Sequence, residues 1–291
     1  MIASNVYDLM NDLVASIDAL KPGMVTVVGM PSDENSSSMR GAALAPARIR
    51  ETLHSGATNL CAENGIDLGT EPRWRDLGDL ELGQGAAALE QIEAAVGSLL
   101  DRDVYVLALG GDHAITYPIL RAYGARYNQL NILHLDAHPD LYAEYEGNRL
   151  SHACPFARIM EEKLVSRLVQ VGIRTMNPHQ RAQAERFGVE VIEMRQWDPR
   201  LKLEFRGPLY LSIDLDVLDP AFAPGVSHHE PGGLSTRELL SLLQGLQTPI
   251  VGADIVELNP WRDSMGIATA AAAKLVKEMV ACMLAWNQSA T

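Results

Sequence analysis

The chain has 291 residues, 47% of them hydrophobic and 21% charged, with 24 Lys plus Arg against 37 Asp plus Glu for a net charge of −13. That usage is too apolar for a disordered chain and long enough to bury a sizeable core. The negative excess excludes a nonspecific nucleic-acid binder or an anionic-membrane binder and suits a small cationic ligand.

The three cysteines, Cys61, Cys154 and Cys282, are widely spaced and form no CxxC pair. Neither a disulfide framework nor a zinc-thiolate site is expected, and the expected location is the reducing cytoplasm. The first twenty residues carry Asp8, Asp12 and Asp18 with no Lys or Arg, unlike an export signal. The alanine-rich stretch 266–286 is interrupted by Lys274, Lys277 and Glu278, so no membrane span is expected.

In chain order, Val6, Leu9, Met10, Leu13, Val14 and Ile17 recur at helical spacing and predict an N-terminal amphipathic helix ending near Pro22 and Gly23. Short apolar or β-branched runs follow at Met24–Val28, Val104–Leu109, Asn131–Leu135, Leu168–Gly172, Val189–Met194, Leu209–Ile213 and Ile250–Ile255, each reading as a buried strand. Helical patterns lie between them at Ala87–Leu100, Ile119–Tyr127, Ala157–Arg167, Arg237–Leu246 and Thr269–Trp286. Such alternation predicts an α/β protein with three α/β/α layers around a central parallel sheet, organised as a single domain over 1–291. Loops are expected near 31–45, 139–153 and 222–236.

In open α/β sheets ligands collect beyond the carboxyl ends of strands. Three predicted strands end in Gly110-Gly111-Asp112-His113, in Asp136-Ala137-His138-Pro139-Asp140 and in Asp214-Leu215-Asp216. In extended chain, positions i, i+2 and i+4 share a face, so Asp136, His138 and Asp140 converge, as do Asp214 and Asp216. With His113 the set holds four carboxylates and two imidazoles, too many ligands for one ion and suited to two dications bridged by shared carboxylates. Without cations, like charges would crowd together at strand ends. Oxygen-rich ligation with no thiolate favours manganese over structural zinc, with nickel or cobalt also open.

These three motifs, with Val217-Leu218-Asp219-Pro220 and Pro224-Gly225 extending the third, resemble the signatures of the ureohydrolase family, which includes arginase and agmatinase. The resemblance runs from Gly41–Arg50 to Asp254–Pro260, and its detail is closest to the plant arginase and agmatinase-like branch. It implies an arginase-like fold, two Mn2+ ions, and a homo-oligomer, trimer or hexamer, in arginine or polyamine metabolism. By motif, His113, Asp136, Asp140 and Asp214 would hold one ion, and Asp136, His138, Asp214 and Asp216 the other. The implied reaction is attack by metal-bound hydroxide on a guanidino compound, agmatine or L-arginine, to give urea and an amine.

A guanidinium needs a carboxylate beyond the metals, and Glu257 is the candidate, with Asp254 as its expected support. His152, after the loop leaving Asp140, matches the family's proton-shuttling histidine. His134 reads as a core or supporting residue. Animal arginases carry acidic contacts for the substrate's α-amino group where this chain has Asn177 and Gln180, so these two and His228 are the remaining candidate substrate contacts. His228 and His229 stand where many relatives have Thr-Gly-Thr-Pro. Guanidinobutyrate, guanidinopropionate and guanidine remain alternative substrates. A one-zinc deacetylase and a noncatalytic regulatory relative are the readings from other classes, and the complete ligand set counts against both.

Overall fold

The computed structural model describes residues 17–286. The helix expected from Val6 to near Pro22 and Gly23 lies mostly outside them; of its described end, residues 17–18 are helical. Eight strands form one sheet: β1 (Val25–Met30), β2 (Trp74–Asp79), β3 (Tyr105–Gly110), β4 (Asn131–Leu135), β5 (Arg167–Ile173), β6 (Glu190–Glu193), β7 (Leu209–Asp214) and β8 (Ile250–Val256). Their spatial order is β2-β1-β3-β8-β7-β4-β5-β6 and every pairing is parallel. Among the described residues the main helices are α1 (Ala45–Leu53), α2 (Ala86–Leu100), α3 (Thr116–Arg126), α4 (Pro155–Glu161), α5 (Pro178–Phe187), α6 (Thr236–Gly245) and α7 (Ile267–Trp286).

Side chains alternate along each strand, so the sheet carries two cores. Leu107, Leu109, Leu133, Leu135, Leu211 and Ile213 pack beneath α1, α6 and α7. Val106, Ala108, Ile132 and Tyr210 pack beneath α2, α3 and α4. This is the expected three-layer arrangement. None of the described helices is long and apolar enough to cross a membrane.

Three departures from the sequence pattern have local causes. β2 pairs only with β1 at the sheet edge, and its polar residues Arg75, Asp76 and Asp79 hide any apolar alternation. The helix expected over Ala157–Arg167 stops at Glu161, because Lys163 adopts φ 57° and Leu164 N–H donates back to the Ile159 carbonyl at 3.1 Å, closing the helix. That releases Arg167 to begin β5. α5 has a weak apolar face but strong ends: Asn177 and Gln180 form a capping box, and Gly188 closes it at φ 67°.

The strands that end in candidate ligands, β3, β7 and β4, sit together with β8 at the sheet centre. Gly111 lets a neighbouring segment cross this end: a Cβ there would lie 1.8 Å from the Ser32 carbonyl oxygen. Gly111 and Asp112 instead bond the backbone of Met30 and Ser32, and the chain onward to Ser37 runs into the cleft.

Candidate metal centre and substrate cleft

Asp136 and Asp214 stand at the ends of β4 and β7, but extended backbone is not what brings their partners in. Each carboxylate turns its own chain. Asp136 Oδ1 accepts the His138 backbone N–H at 2.5 Å, and Asp214 Oδ1 accepts that of Asp216 at 2.8 Å within a 3-10 turn. Asp140 then takes φ 49° and Glu257 φ 65°, left-handed conformations unusual for such residues. The convergence expected from i, i+2 spacing is therefore produced by tight turns.

The six candidate ligands meet. His113 Nδ1 lies 3.2 Å from Asp136 Oδ2, 3.1 Å from Asp140 Oδ2 and 3.3 Å from Asp214 Oδ2. His138 Nδ1 lies 2.9 Å from Asp216 Oδ2 and 3.4 Å from Asp136 Oδ1. Donor atoms of Asp136, His138 and Asp216 fall within 4.8 Å of one another, as do those of His113, His134 and Asp136.

Hydrogen bonding shows what His113 lacks. Asp254 Oδ2 accepts from Tyr210 (2.8 Å) and Thr116 (3.0 Å), and Oδ1 accepts the Ser212 hydroxyl hydrogen at 2.7 Å. Ser212 has then given its only hydrogen, so at 2.9 Å it accepts from His113 Nε2–H. His113 Nδ1 is left as a buried lone pair with no hydrogen-bond partner, facing three carboxylates. With no cation there, only a proton can take that place: burial lowers the His113 pKa, but the close carboxylates of Asp136, Asp140 and Asp214 outweigh it and hold the ring well above 6.5. Burial and the neighbouring charges of Asp216 and Asp136 push Asp214 well above the usual carboxylate range. The donor set thus demands positive charge at Nδ1, and a dication fits it.

Beneath the ligands lies a polar row across the sheet. Gln170, His134, Ser212 and Asp254 stand in register on β5, β4, β7 and β8. Gln170 donates to His134 Nδ1 at 2.9 Å, so His134 Nε2–H points at Asp136 Oδ2, 2.7 Å away, while the ring stacks on Phe156. Asp254, expected beside Glu257, instead acts through Ser212 on His113, because its strand register places it in this row. Sequence reasoning passed over Gln170, Ser212, Tyr210 and Thr116. For Ser212 the available signal was a polar residue inside an otherwise apolar strand two positions before an acid, Asp214, as His134 stands before Asp136; the other three carry no such mark. Ser212→Ala should weaken divalent-cation binding about 10–100-fold with the fold intact, read by chelator competition and circular dichroism.

A cleft of about 210 Å³ opens above the cluster, lined by His138, Asp140, Asp214, Asp216, Glu257, His152, His228, Asn177 and Gln180, and by Ser37, Tyr142, Tyr145 and Thr175. His113 and Asp136 lie at its floor, fully buried. Glu257 Oε1 accepts the His113 backbone N–H and His152 Nδ1–H, both at 2.8 Å. His152 Nε2 meets the Ser37 backbone N–H at 3.1 Å and its hydroxyl at 2.8 Å. Burial lowers the His152 pKa, yet Glu257 raises it to about 9. Burial would raise Glu257, and the His152 charge holds it below the usual range. Asn177 and Gln180 reach the cleft wall but spend most of their polar atoms on the α5 cap, with Asn177 Nδ2 donating to Tyr142 at 2.6 Å.

With this geometry in place, the likeness to known proteins is specific. Residues 24–282 match the profile of the Arginase family. The chain is 44% identical over 290 residues to "Arginase 1, mitochondrial" of Arabidopsis thaliana, covering 94% of this chain and 84% of that one. It is 35% identical over 282 residues to an agmatinase of Bacillus cereus, covering 94% and 95%. The solved arginase from Medicago truncatula superposes with a TM-score of 0.87 at 40% identity over 94% and 93% of the two chains. The chain belongs to the arginase family and is an amidinohydrolase, an enzyme that hydrolyses guanidino groups to urea.

Proposed function

We propose that this chain is a two-manganese hydrolase of L-arginine, releasing urea and ornithine. The observation that carries the metal reading is the buried His113 Nδ1 lone pair turned toward Asp136, Asp140 and Asp214. His113, Asp136, Asp140 and Asp214 would hold one ion; Asp136, His138, Asp214 and Asp216 the other. Two bound dications supply hydroxide near neutral pH.

The remaining steps belong to the chain's own residues. Glu257 holds the guanidinium: Oε1 is bonded to His113 and His152, and Oε2 is left to accept substrate N–H groups. His152, charged beside Glu257, keeps Nδ1–H on that carboxylate and gives its Nε2 proton to Ser37 Oγ as the Ser37 hydroxyl releases its own proton toward the departing amine, leaving His152 neutral and Ser37 unchanged. Asn177 and Gln180 shape the outer wall.

Arginine is favoured by the higher identity to chains named arginase. Agmatine is the second reading, favoured by one feature: among the described residues the cleft is lined by no Lys or Arg that could pair with an α-carboxylate. Urea release from arginine, agmatine, guanidinobutyrate, guanidinopropionate and guanidine, with Mn2+ and then Ni2+ or Co2+, tests the proposal. Arginine is expected to give the highest kcat/KM with Mn2+, and a higher value for agmatine reverses the assignment. The location proposed is the cytoplasm, and the assembly proposed is a homotrimer or hexamer.

A further inference from the structure

The adjacent histidines His228 and His229 have opposite fates. His229 is fully bonded, with Nε2–H donating to the Pro224 carbonyl at 2.7 Å and Nδ1 accepting from Arg262 at 3.2 Å. His228 makes no hydrogen bond among the described residues and lines the cleft, its ring centroid 5.3 Å from His152 and 5.9 Å from His138. His152 has both nitrogens engaged, and His138 commits Nδ1 to Asp216. His228 alone among these three presents two unengaged ring nitrogens.

Its placement is built into the fold. Val226 bridges Leu258 next to Glu257, Asn259 N–H donates to the Gly225 carbonyl at 2.7 Å, and Asn259 Nδ2 donates to Ser227 Oγ at 3.0 Å. Gly225 is required there, since a Cβ would lie 2.5 Å from Asp263 Cβ. The loop carrying His228 is therefore tied to the backbone carrying the guanidinium anchor.

We propose that His228 is the hydrogen-bond partner of the substituted nitrogen of the guanidino substrate, and so a specificity-determining residue. Glu257 and Asp214, at 4% and 3% exposure, form the floor, whereas His228 is only half-buried and stands toward the mouth. The substrate's alkyl chain must leave by the mouth, so the nitrogen that bears it passes His228, while the two unsubstituted nitrogens face inward. This rests on the guanidino-hydrolase reading above.

His228→Ala and His228→Phe should each raise KM for arginine or agmatine about 10–100-fold with two metal ions retained, and His228→Asn should recover part of the loss. Competitive inhibition by guanidinium, which has no substituted nitrogen, should stay within about twofold in all three. Unchanged KM in both Ala and Phe variants, an equal loss of guanidinium affinity, or loss of metal overturns the assignment. If the wild-type chain releases urea from no guanidino compound, the hydrolase reading itself fails and takes this contact with it.

Discussion

Asp136→Ala and Asp214→Ala are each expected to abolish urea release and both metal ions together. Asp136 is shared structurally before any cation is considered: Oδ2 lies 3.2 Å from His113 Nδ1 and accepts from His134, while Oδ1 accepts the His138 backbone N–H. Removing it strips a ligand from both proposed ions and leaves His134 Nε2–H buried without an acceptor, a penalty of about 1–3 kcal/mol on stability. The catalytic penalty is far larger. Lowering a water pKa from about 16 to about 7 changes hydroxide availability by many orders of magnitude, so turnover should drop at least ~10⁴-fold. Asp136→Asn separates the two effects, since its amide oxygen can still accept from His134 while its NH2 meets the His138 N–H and the charge is gone: stability should recover only in part and turnover not at all. Metal analysis by mass spectrometry and a thermal melt read both. Two retained ions with turnover in either alanine variant would remove the bridging assignment.

How much of this was legible in the sequence follows from what each residue's position depends on. The acids at the ends of β4 and β7 could be read because they directly follow apolar runs, Asn131–Leu135 and Leu209–Ile213, and the parallel sheet carries all such ends to one side. The turns that bring His138 and Asp216 back depend on side-chain bonds to the backbone, which spacing alone does not reveal. Asp254 was assigned the wrong neighbour because its role follows from β7–β8 register, Ser212 opposite Asp254, and register is a property of two strands. The same holds for Gln170 opposite His134. The split between His228 and His229 is equally tertiary: Arg262 and the Pro224 carbonyl claim one ring and leave the other to the cleft.

Removing metal should expose the electrostatic conflict as a loss of stability that grows with pH. In the metal-free protein His113 and His138 have native pKa values well above 6.5, because carboxylate contacts outweigh burial in both. A group whose native pKa exceeds its unfolded value contributes stability that is fully present below the unfolded pKa, near 6.5, and lost as pH rises through the native value. Asp214, also raised, has the same sign from its own unfolded value near 4 upward; Asp136, held low, opposes it at acid pH. Metal binding runs the other way, since it displaces the proton from His113 Nδ1 and so strengthens as pH rises. At a free Mn2+ concentration a thousandfold above Kd, one site stabilises the fold by about 4 kcal/mol. That corresponds to roughly 8–16 °C in melting temperature for a chain of this length, and more if both sites fill. The gap between manganese-loaded and chelator-treated protein should therefore widen from pH 6 to pH 8.5, with protons released on binding in calorimetry. A gap that is absent, or that narrows over this range, would mean that these carboxylates are balanced by protons alone.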